Sequence, residues 1–149
     1  MTADRVTRLE MRGIAKRFGA TVALDGVDLR VFAGEVVALV GENGAGKSTL
    51  MKVLSGAHRP DSGEMWLDGH PFRPANPLAA RRSGVAMIYQ ELSLAPHLTV
   101  EENILLGMEP QRCGWIRAAE VRRRAVEALA PFSQAGIRPD QTVGQLTVA

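Results

Sequence analysis

The chain has 149 residues, of which 46% are hydrophobic and 23% charged, with a formal net charge of +2. That length allows about one domain with a buried core, and the composition excludes a disordered tail, a collagen-like repeat and a coiled-coil rod. The single cysteine excludes a disulfide scaffold. No apolar run reaches the ~20 residues that a membrane-spanning helix needs. The net charge is too small to indicate a nucleic-acid partner. Frequent charges in the first ten residues argue against a signal peptide, so we expect the protein to be located in the cytosol.

The first third of the chain predicts short strands joined by tight turns. The runs are residues 8–12, 27–32 and 35–40. Glycine-containing pairs that favour turns stand at 18–19, 25–26 and 33–34. Links this short join antiparallel neighbours rather than crossover partners. The third run is apolar on both faces, which predicts a strand buried in the middle of a sheet.

Helix signals follow. The spacing of Leu50, Met51 and Leu54 predicts a helix from Lys47 to Ser55 that ends at Gly56. A turn at 59–63 and a strand at 64–67 come next. Asn76 followed by Pro77 is typical of a helix start and predicts a short helix to residue 82, before another buried strand at 85–89.

The last third is predicted to be helical. Thr99 with Glu102 three residues later makes a capping box ahead of an apolar run. A second helix is predicted over residues 116–132. Its apolar face is formed by Val121, Ala125, Leu129 and Phe132. The run Arg122-Arg123-Arg124 alternates with Glu120 and Glu127, which is typical of a solvated helix face rather than a nucleic-acid patch.

One segment carries the chemistry. It reads Gly41, Glu42, Asn43, Gly44, Ala45, Gly46, Lys47, Ser48 and Thr49, and it matches the pattern G-x-x-x-x-G-K-[ST]. A buried strand before it and an amphipathic helix after it are the context that this pattern requires. The competing interpretation is a glycine-rich turn with an accidental lysine, and the surrounding elements disfavour it.

Each residue type in this loop suits a phosphate. Glycines at 41, 44 and 46 allow positive φ and let backbone N–H groups approach phosphate oxygens. The start of the following helix directs free N–H groups and a positive dipole end at the same anion. Lys47 supplies a cation for the β- and γ-phosphates, and the Ser48 hydroxyl is predicted to ligate Mg²⁺. The sequence therefore predicts a site for a nucleoside triphosphate.

Further patterns separate the classes that share such a loop. No N-K-x-D motif for guanine is present, which argues against a GTPase. About forty residues of predicted antiparallel sheet precede the loop, whereas a nucleoside monophosphate kinase would begin with the loop's strand. Residues 37–52 resemble, almost residue for residue, the Walker A region of the ATP-binding-cassette (ABC) family, and Ile88-Tyr89-Gln90-Glu91 resembles its Q-loop.

This resemblance implies an α/β fold with a P-loop NTPase core. The family places an N-terminal antiparallel β subdomain at about residues 1–35, the P-loop to Q-loop core at 36–90, and a helical arm at 91–149. The Walker B motif and the switch histidine have no counterpart in this sequence, and residues 146–149 resemble the start of the signature motif. We therefore expect the N-terminal part of a first cassette, an incomplete domain with an open apolar strand edge that does not hydrolyse ATP by itself.

A finer resemblance concerns the kind of transporter. Residues 41–46, 90–94 and 98–104 together resemble the ATP-binding subunits of monosaccharide importers of the ribose, xylose, arabinose and galactose type. It implies ATP and Mg²⁺ as cofactors, membrane permease subunits, a second fused nucleotide-binding domain and, indirectly, a sugar-binding protein. It also implies a peripheral place on the cytoplasmic side of the membrane and no nucleic-acid partner. The alternatives are a soluble ABC ATPase acting on DNA or ribosomes, and a nucleotide-binding module that never hydrolyses.

The resemblance also assigns residues outside the loop. Phe18 occupies the place of the aromatic that stacks on adenine, although a lone aromatic can also be an ordinary core or turn residue. Gln90 occupies the place of the glutamine that touches Mg²⁺ and the attacking water, the alternative being a polar strand end. Apolar residues from 92 to 104 either line a groove for a permease helix or fill the core of the arm. The three histidines lack ligand spacing, and Cys113 follows no reactive pattern.

Overall fold

The structure is a computed structural model, and it describes residues 5–88 and 94–146. The chain forms two compact units, residues 1–88 and residues 89–149. The division of the chain at 35/36 and 90/91 stays a prediction.

A four-stranded antiparallel sheet is the main secondary structure of the first unit. Its strands are β1 (Thr7–Phe18), β2 (Thr21–Phe32), β3 (Ser62–Leu67) and β4 (His70–Pro71), in the order β2-β1-β3-β4. The predicted antiparallel arrangement is confirmed, but both early strands are longer than predicted. The predicted turn at 25–26 is wrong. Gly26, with φ 64°, lies inside β2 and not between strands, because the β1–β2 register shifts there and absorbs the left-handed residue.

A bulge in β1 adjusts which side chains reach the core. Leu9 and Met11 alternate inward, and the next buried residue is Ile14, three positions on. Gly13 has φ 59° at this irregularity, and its N–H donates to the Asp28 carboxylate at 2.6 Å. The extra residue therefore interrupts the two-residue alternation of buried side chains along β1, and the Gly13 N–H still has a hydrogen-bond partner.

Two helices accompany the sheet. Helix α1 (Lys47–Leu54) ends as predicted, with Gly56 in the left-handed region at φ 74°. Helix α2 (Pro77–Arg82) begins where the sequence predicts it, because the Asn76 side chain accepts the N–H of Ala79 at 2.9 Å. The hydrophobic core between these helices and the sheet is built from Leu9, Met11, Ile14, Leu24, Leu50, Val53, Met65, Phe72 and Ala80.

The two predicted buried strands of the first unit are wrong in this structure. Residues 35–40 are in no strand, and Val36 and Val40 are 97% and 92% exposed. Residues 85–88 are likewise in no strand, Ile88 is 95% exposed, and Tyr89 lies outside the described residues. A strand is held by its ladder, and within the described residues neither segment has one. Apolar side chains are therefore exposed, as expected, but the expected strand edge does not form in these two segments.

The second unit packs two helices against each other. Helix α3 (Val100–Leu105) begins at the predicted capping box, in which Thr99 and Glu102 satisfy each other's backbone N–H groups. Helix α4 is Ala118–Leu129, shorter at both ends than predicted. Residues 115 and 116 belong to a small hairpin, β5 (Gln111–Arg112) and β6 (Trp115–Ile116), and a 3₁₀-helix, Ala130–Ala135, follows α4.

The predicted apolar face of α4 is only partly buried. Val121 and Ala125 are buried, as predicted, whereas Phe132 is 63% exposed because the α-helix stops before it and its position no longer follows the helical period. The arginine run is confirmed as a solvated face. Arg123 pairs with Glu120 at 2.6 Å and with Glu127 at 2.5 Å, and its guanidinium lowers the pKa of Glu120 to about 2.

Among the described residues, no helix combines the length and the apolar character needed to cross a bilayer.

Burial separates two isoleucines of the first unit and predicts opposite results for one substitution. Ile14 is fully buried and Ile88 is 95% exposed. We expect Ile14→Ala to lower the free energy of unfolding by about 2–5 kcal/mol, and Ile88→Ala to change it by less than about 0.5 kcal/mol. Urea denaturation of the 149-residue chain measures both variants. Equal losses would contradict the assignment of the core.

The capping box predicts a pH dependence in the second unit. Hydrogen bonds from the backbone N–H and then the hydroxyl of Thr99 lower the pKa of Glu102 from its ordinary 4.5. A lowered folded pKa stabilises the protein above the ordinary value, and this stabilisation is lost as the pH falls through the folded pKa. We expect the stability difference between the wild type and Glu102→Gln to shrink between about pH 5 and pH 3. Thermal unfolding across this range tests it, and a constant difference would contradict it.

Candidate nucleotide-binding site

The loop at 41–46 is an exposed turn that leads directly into α1. The Ala45 N–H donates to the Glu42 carbonyl at 3.2 Å and closes the turn. Gly44 and Gly46 use the positive φ that their lack of a side chain allows, with values of 87° and 83°, whereas Gly41 does not. The two later glycines therefore supply the left-handed residues of this turn.

Gly46 is fixed by a close approach to β2. A Cβ added to Gly46 would lie 2.4 Å from the carbonyl oxygen of Ala23 and 2.9 Å from Leu24 Cδ2. Real Cβ atoms do not approach backbone atoms so closely, so only glycine fits here. The absent side chain therefore lets the loop and the start of α1 rest on the strand backbone.

The first turn of α1 presents unpaired backbone donors. The first N–H groups of any α-helix have no partner inside the helix. At α1 the N-cap is Gly46, which has no side chain to cap them, and no acidic residue stands in the first turn. Hydrogen bonding inside the helix is established by Leu50, whose N–H donates to the Gly46 carbonyl at 2.9 Å. The earlier donors and the helix dipole make the loop side of α1 favourable for an anion.

Lys47 closes the loop on itself. Its Nζ donates to the carbonyl oxygens of Gly41 and Glu42, both at 2.7 Å. An ammonium has three donors, so these bonds leave one for another acceptor. A phosphate oxygen is a stronger partner for the ammonium than a carbonyl, since it carries a negative charge and the carbonyl is neutral. The lysine is thus placed where it can exchange loop carbonyls for phosphate.

The donor set fits a polyphosphate. It combines backbone N–H groups, a cation and a concave backbone kept free of side chains by glycine, all of which suit several negative oxygens in a row. Ser48 lies at the second position of α1 and offers a hydroxyl oxygen, a ligand type that Mg²⁺ accepts. Among the described residues, no group of three His, Cys, Asp or Glu side chains could hold a metal ion by itself.

Phe18 stands at the end of β1, where the chain turns into β2. The residue is 45% exposed, and its backbone is opposite Thr21 in the β1–β2 ladder. Gly46 approaches the carbonyl of Ala23 in β2. Ala23 lies between Val22 and Leu24, which pair with Arg17 and Lys16 of β1. At the rise of a strand, Phe18 is therefore on the order of 7 Å along the hairpin from the point that touches the loop. The β1–β2 hairpin brings this aromatic to the same unit and side as the phosphate loop.

The Q-loop prediction lies outside the described residues. Gln90, its neighbours at 89 and 91–93, and the chain after residue 146 are among the residues that are not described. Of the apolar residues that follow, Leu94 is 53% exposed, and Leu98 and Ile104 are half-buried.

Comparison with known proteins identifies the family. The description "ABC transporter" belongs to the family profile that matches residues 24–147 of the chain. The chain belongs to the ABC transporter family. The match covers the phosphate loop, α1 and most of both units, in agreement with the resemblance of the Walker A segment.

Two curated relatives have names that describe ribose import. The chain is 54% identical over 132 residues to "Ribose import ATP-binding protein RbsA 1" of Rubrobacter xylanophilus, a match that covers 89% of the chain. It is 48% identical over 141 residues to "Ribose import ATP-binding protein RbsA" of Chromobacterium violaceum, covering 95% of the chain. The chain spans 26% and 28% of the length of these two ABC proteins.

Solved structures agree on the fold. A nucleotide-free ATP-binding cassette from an ABC transporter superposes with a TM-score of 0.75 at 26% identity. A second ATP-binding cassette of an ABC transporter superposes with a TM-score of 0.77 at 28% identity. Each match covers 95% of this chain and 59% of the solved one. The α/β cassette fold with its antiparallel β part is therefore confirmed, and the chain corresponds to part of that domain.

Sequence reasoning missed three residues around this site. The Ala23 carbonyl supports Gly46, and His58 and Asp61 contact or anchor the segment that carries Phe18. Ala23 has no functional side chain, and the other two are about forty residues from Phe18. No local pattern connects such distant residues, so only the folded sheet reveals them.

Two glycines with the same conformation predict different costs for the same substitution. Gly34 has φ 73° with open space where a methyl group would lie, whereas Gly46 adds the 2.4 Å approach to Ala23. We expect Gly34→Ala to lower the free energy of unfolding by about 1–2 kcal/mol, the usual cost of the left-handed region, and Gly46→Ala to cost clearly more. Chemical denaturation compares them. If Gly46→Ala costs no more than Gly34→Ala, the close packing of the loop on β2 is wrong.

Proposed function

We propose that this chain binds ATP at residues 41–49 and forms the nucleotide-binding start of an ATPase subunit that drives the import of a sugar. The observation that carries this proposal is the loop itself, with backbone donors, the Lys47 ammonium and a glycine cradle held against β2. Family membership supports ATP as the nucleotide.

In this proposal different residues of the loop bind different parts of the triphosphate. Backbone N–H groups from Gly41 to Thr49 surround its oxygens, and Lys47 neutralises charge at the β- and γ-phosphates. Ser48 and Gln90 ligate Mg²⁺, which screens the phosphate charge when it is bound. Gln90 also orients the attacking water, a task for which an uncharged amide that donates and accepts is suited.

Phe18 provides the surface for adenine. The flat face of an aromatic ring suits a purine and adds affinity without reading its edge. Its 45% exposure at the tip of the hairpin supports this role over that of a core residue.

The wider assignment is supported by the names of the relatives. Both are ribose import ATP-binding proteins, and the chain matches only about a quarter of their length. We propose that the complete protein carries a second, fused cassette, binds membrane permease subunits on the cytoplasmic side, and works with a separate sugar-binding protein. Within it, residues 1–35, 36–90 and 91–149 serve as the β part, the P-loop to Q-loop core and the helical arm.

The role of Lys47 can be tested against a neighbouring lysine. Lys52 lies in the last turn of the same helix, at the end away from the loop. We expect Lys47→Ala to weaken ATP binding about 10- to 100-fold, since losing a charged hydrogen-bond donor costs ~1.5–3 kcal/mol. Lys52→Ala should leave the affinity within about twofold. Calorimetric titration of the full-length protein with Mg-ATP measures both, and equal affinities for the two variants would refute the proposed site.

The 149-residue chain and the full-length protein should differ in their rates of ATP hydrolysis. The proposed residues supply the cradle, Ser48 and Gln90, but the chain contains no Walker B carboxylate pair to complete a water-activating site. We expect no Mg²⁺-dependent phosphate release above background from the 149-residue chain, and turnover in the full-length protein. Turnover by the isolated chain at a comparable rate would contradict this part of the proposal.

A further inference from the structure

Phe18 is the proposed base-stacking ring, but its own position does little to fix it. It is the last residue of β1 and is 45% exposed, so few neighbours restrict its rotamer. A stacking surface is effective only when its orientation is set before the ligand arrives, because the ligand otherwise bears the cost of ordering it. The contacts around the ring therefore matter.

One carboxylate anchors the segment that leads to the ring. Asp61 accepts from the Lys16 ammonium and from the Arg17 N–H, each at 2.7 Å. Its own N–H donates to the Ala15 carbonyl at 2.9 Å. The β1–β3 ladder ends at Ala15. Beyond this point Asp61, rather than a paired strand, makes hydrogen bonds to the backbone of β1. The three residues before Phe18 are thus tied to the turn that precedes β3.

The same carboxylate sets the position of a cation over the ring. Lys16 Nζ lies 5.6 Å from the centroid of the Phe18 ring, within the range of a cation–π interaction. The Lys16 side chain is only 16% exposed, so its ammonium is held rather than free in solvent. The hydrogen bonds from the Lys16 side chain and then the Arg17 backbone lower the pKa of Asp61 below its ordinary 3.8, as expected for a carboxylate that these donors stabilise. A cation on one face of the ring leaves the other face for a base.

A second contact connects the ring to the phosphate helix. The His58 ring meets Phe18 edge to face, with centroids 5.2 Å apart and planes at 69°. The His58 N–H donates to the carbonyl of Lys52 in α1 at 3.0 Å. Since α1 begins with Lys47, His58 joins the base side of the site to the element that carries the phosphate side.

We propose that Asp61 and His58 are positioning residues that hold the Phe18 ring in the orientation that receives the base of a bound nucleotide. Asp61 acts through Lys16 and the backbone of Arg17, and His58 acts through direct ring contact. The inference rests on the proposed function, because it requires that Phe18 stacks on the base.

The test compares two ligands in the full-length protein. Calorimetry measures the affinity for ATP and for inorganic tripolyphosphate, which has the phosphates but no base. A residue that positions Phe18 changes only the first affinity, whereas general damage to the fold or to the phosphate loop changes both. The measured quantity is therefore the ratio of ATP affinity to tripolyphosphate affinity.

Matched variants isolate each positioning residue. We expect Asp61→Asn and Lys16→Met to lower the ratio about two- to fivefold, the size of an exposed cation–π contact. His58→Ala should lower it by about two- to tenfold, the range of an aromatic pair. The controls are Asp68→Asn, which removes a similar carboxylate paired with Arg8 at 2.6 Å on the same sheet, and His70→Ala. Both controls should keep the wild-type ratio.

The outcomes separate this inference from the function on which it rests. Phe18→Ala tests the stacking itself, and an unchanged ratio in that variant would overturn both. If Phe18→Ala lowers the ratio while the variants of Asp61, Lys16 and His58 match their controls, base stacking stands and the positioning role is wrong. Parallel losses for ATP and tripolyphosphate would assign these residues a merely structural role and would also overturn the proposal. Lys16→Met keeps the test decisive if Asp61→Asn fails to fold.

Discussion

The contact of Gly46 with the backbone of β2 is the constraint on which the site depends. At this point the loop and the start of α1 approach the Ala23 carbonyl more closely than any side chain would permit. The contact fixes where the unpaired donors of α1 lie relative to the β1–β2 hairpin. The same hairpin carries Phe18 at its tip, so one backbone approach relates the proposed phosphate and base sites.

The energetics of the loop follow from its charges. Lys47 is held by two neutral carbonyls of its own loop, which keeps the ammonium near the place where phosphate would bind. An anion offers stronger acceptors and also meets the unpaired N–H groups of α1. Binding would therefore exchange weaker partners for stronger ones without a large movement of the backbone.

Residues 35–40 are exposed and residues 85–88 are partly exposed, and neither segment pairs with a strand among the described residues. Their apolar residues favour central strands, yet Val36 and Ile88 face solvent because no described residue pairs with them. By contrast, the antiparallel sheet does form, since its four strands find their partners within the first 71 residues. The solved cassettes, of which the chain covers 59%, have additional chain around the same fold.

The sequence by itself determined the features that local physics controls. The phosphate-loop pattern, the cap at Asn76, the capping box at Thr99 and the solvated arginine face all depend on residues within a few positions of one another. Tertiary structure alone decided the bulge at Gly13, the exposure of 35–40, and the meeting of Phe18 with His58 and Asp61. These depend on which segments pair across dozens of residues, and a periodic pattern states only that a side chain prefers burial, not which partner will cover it.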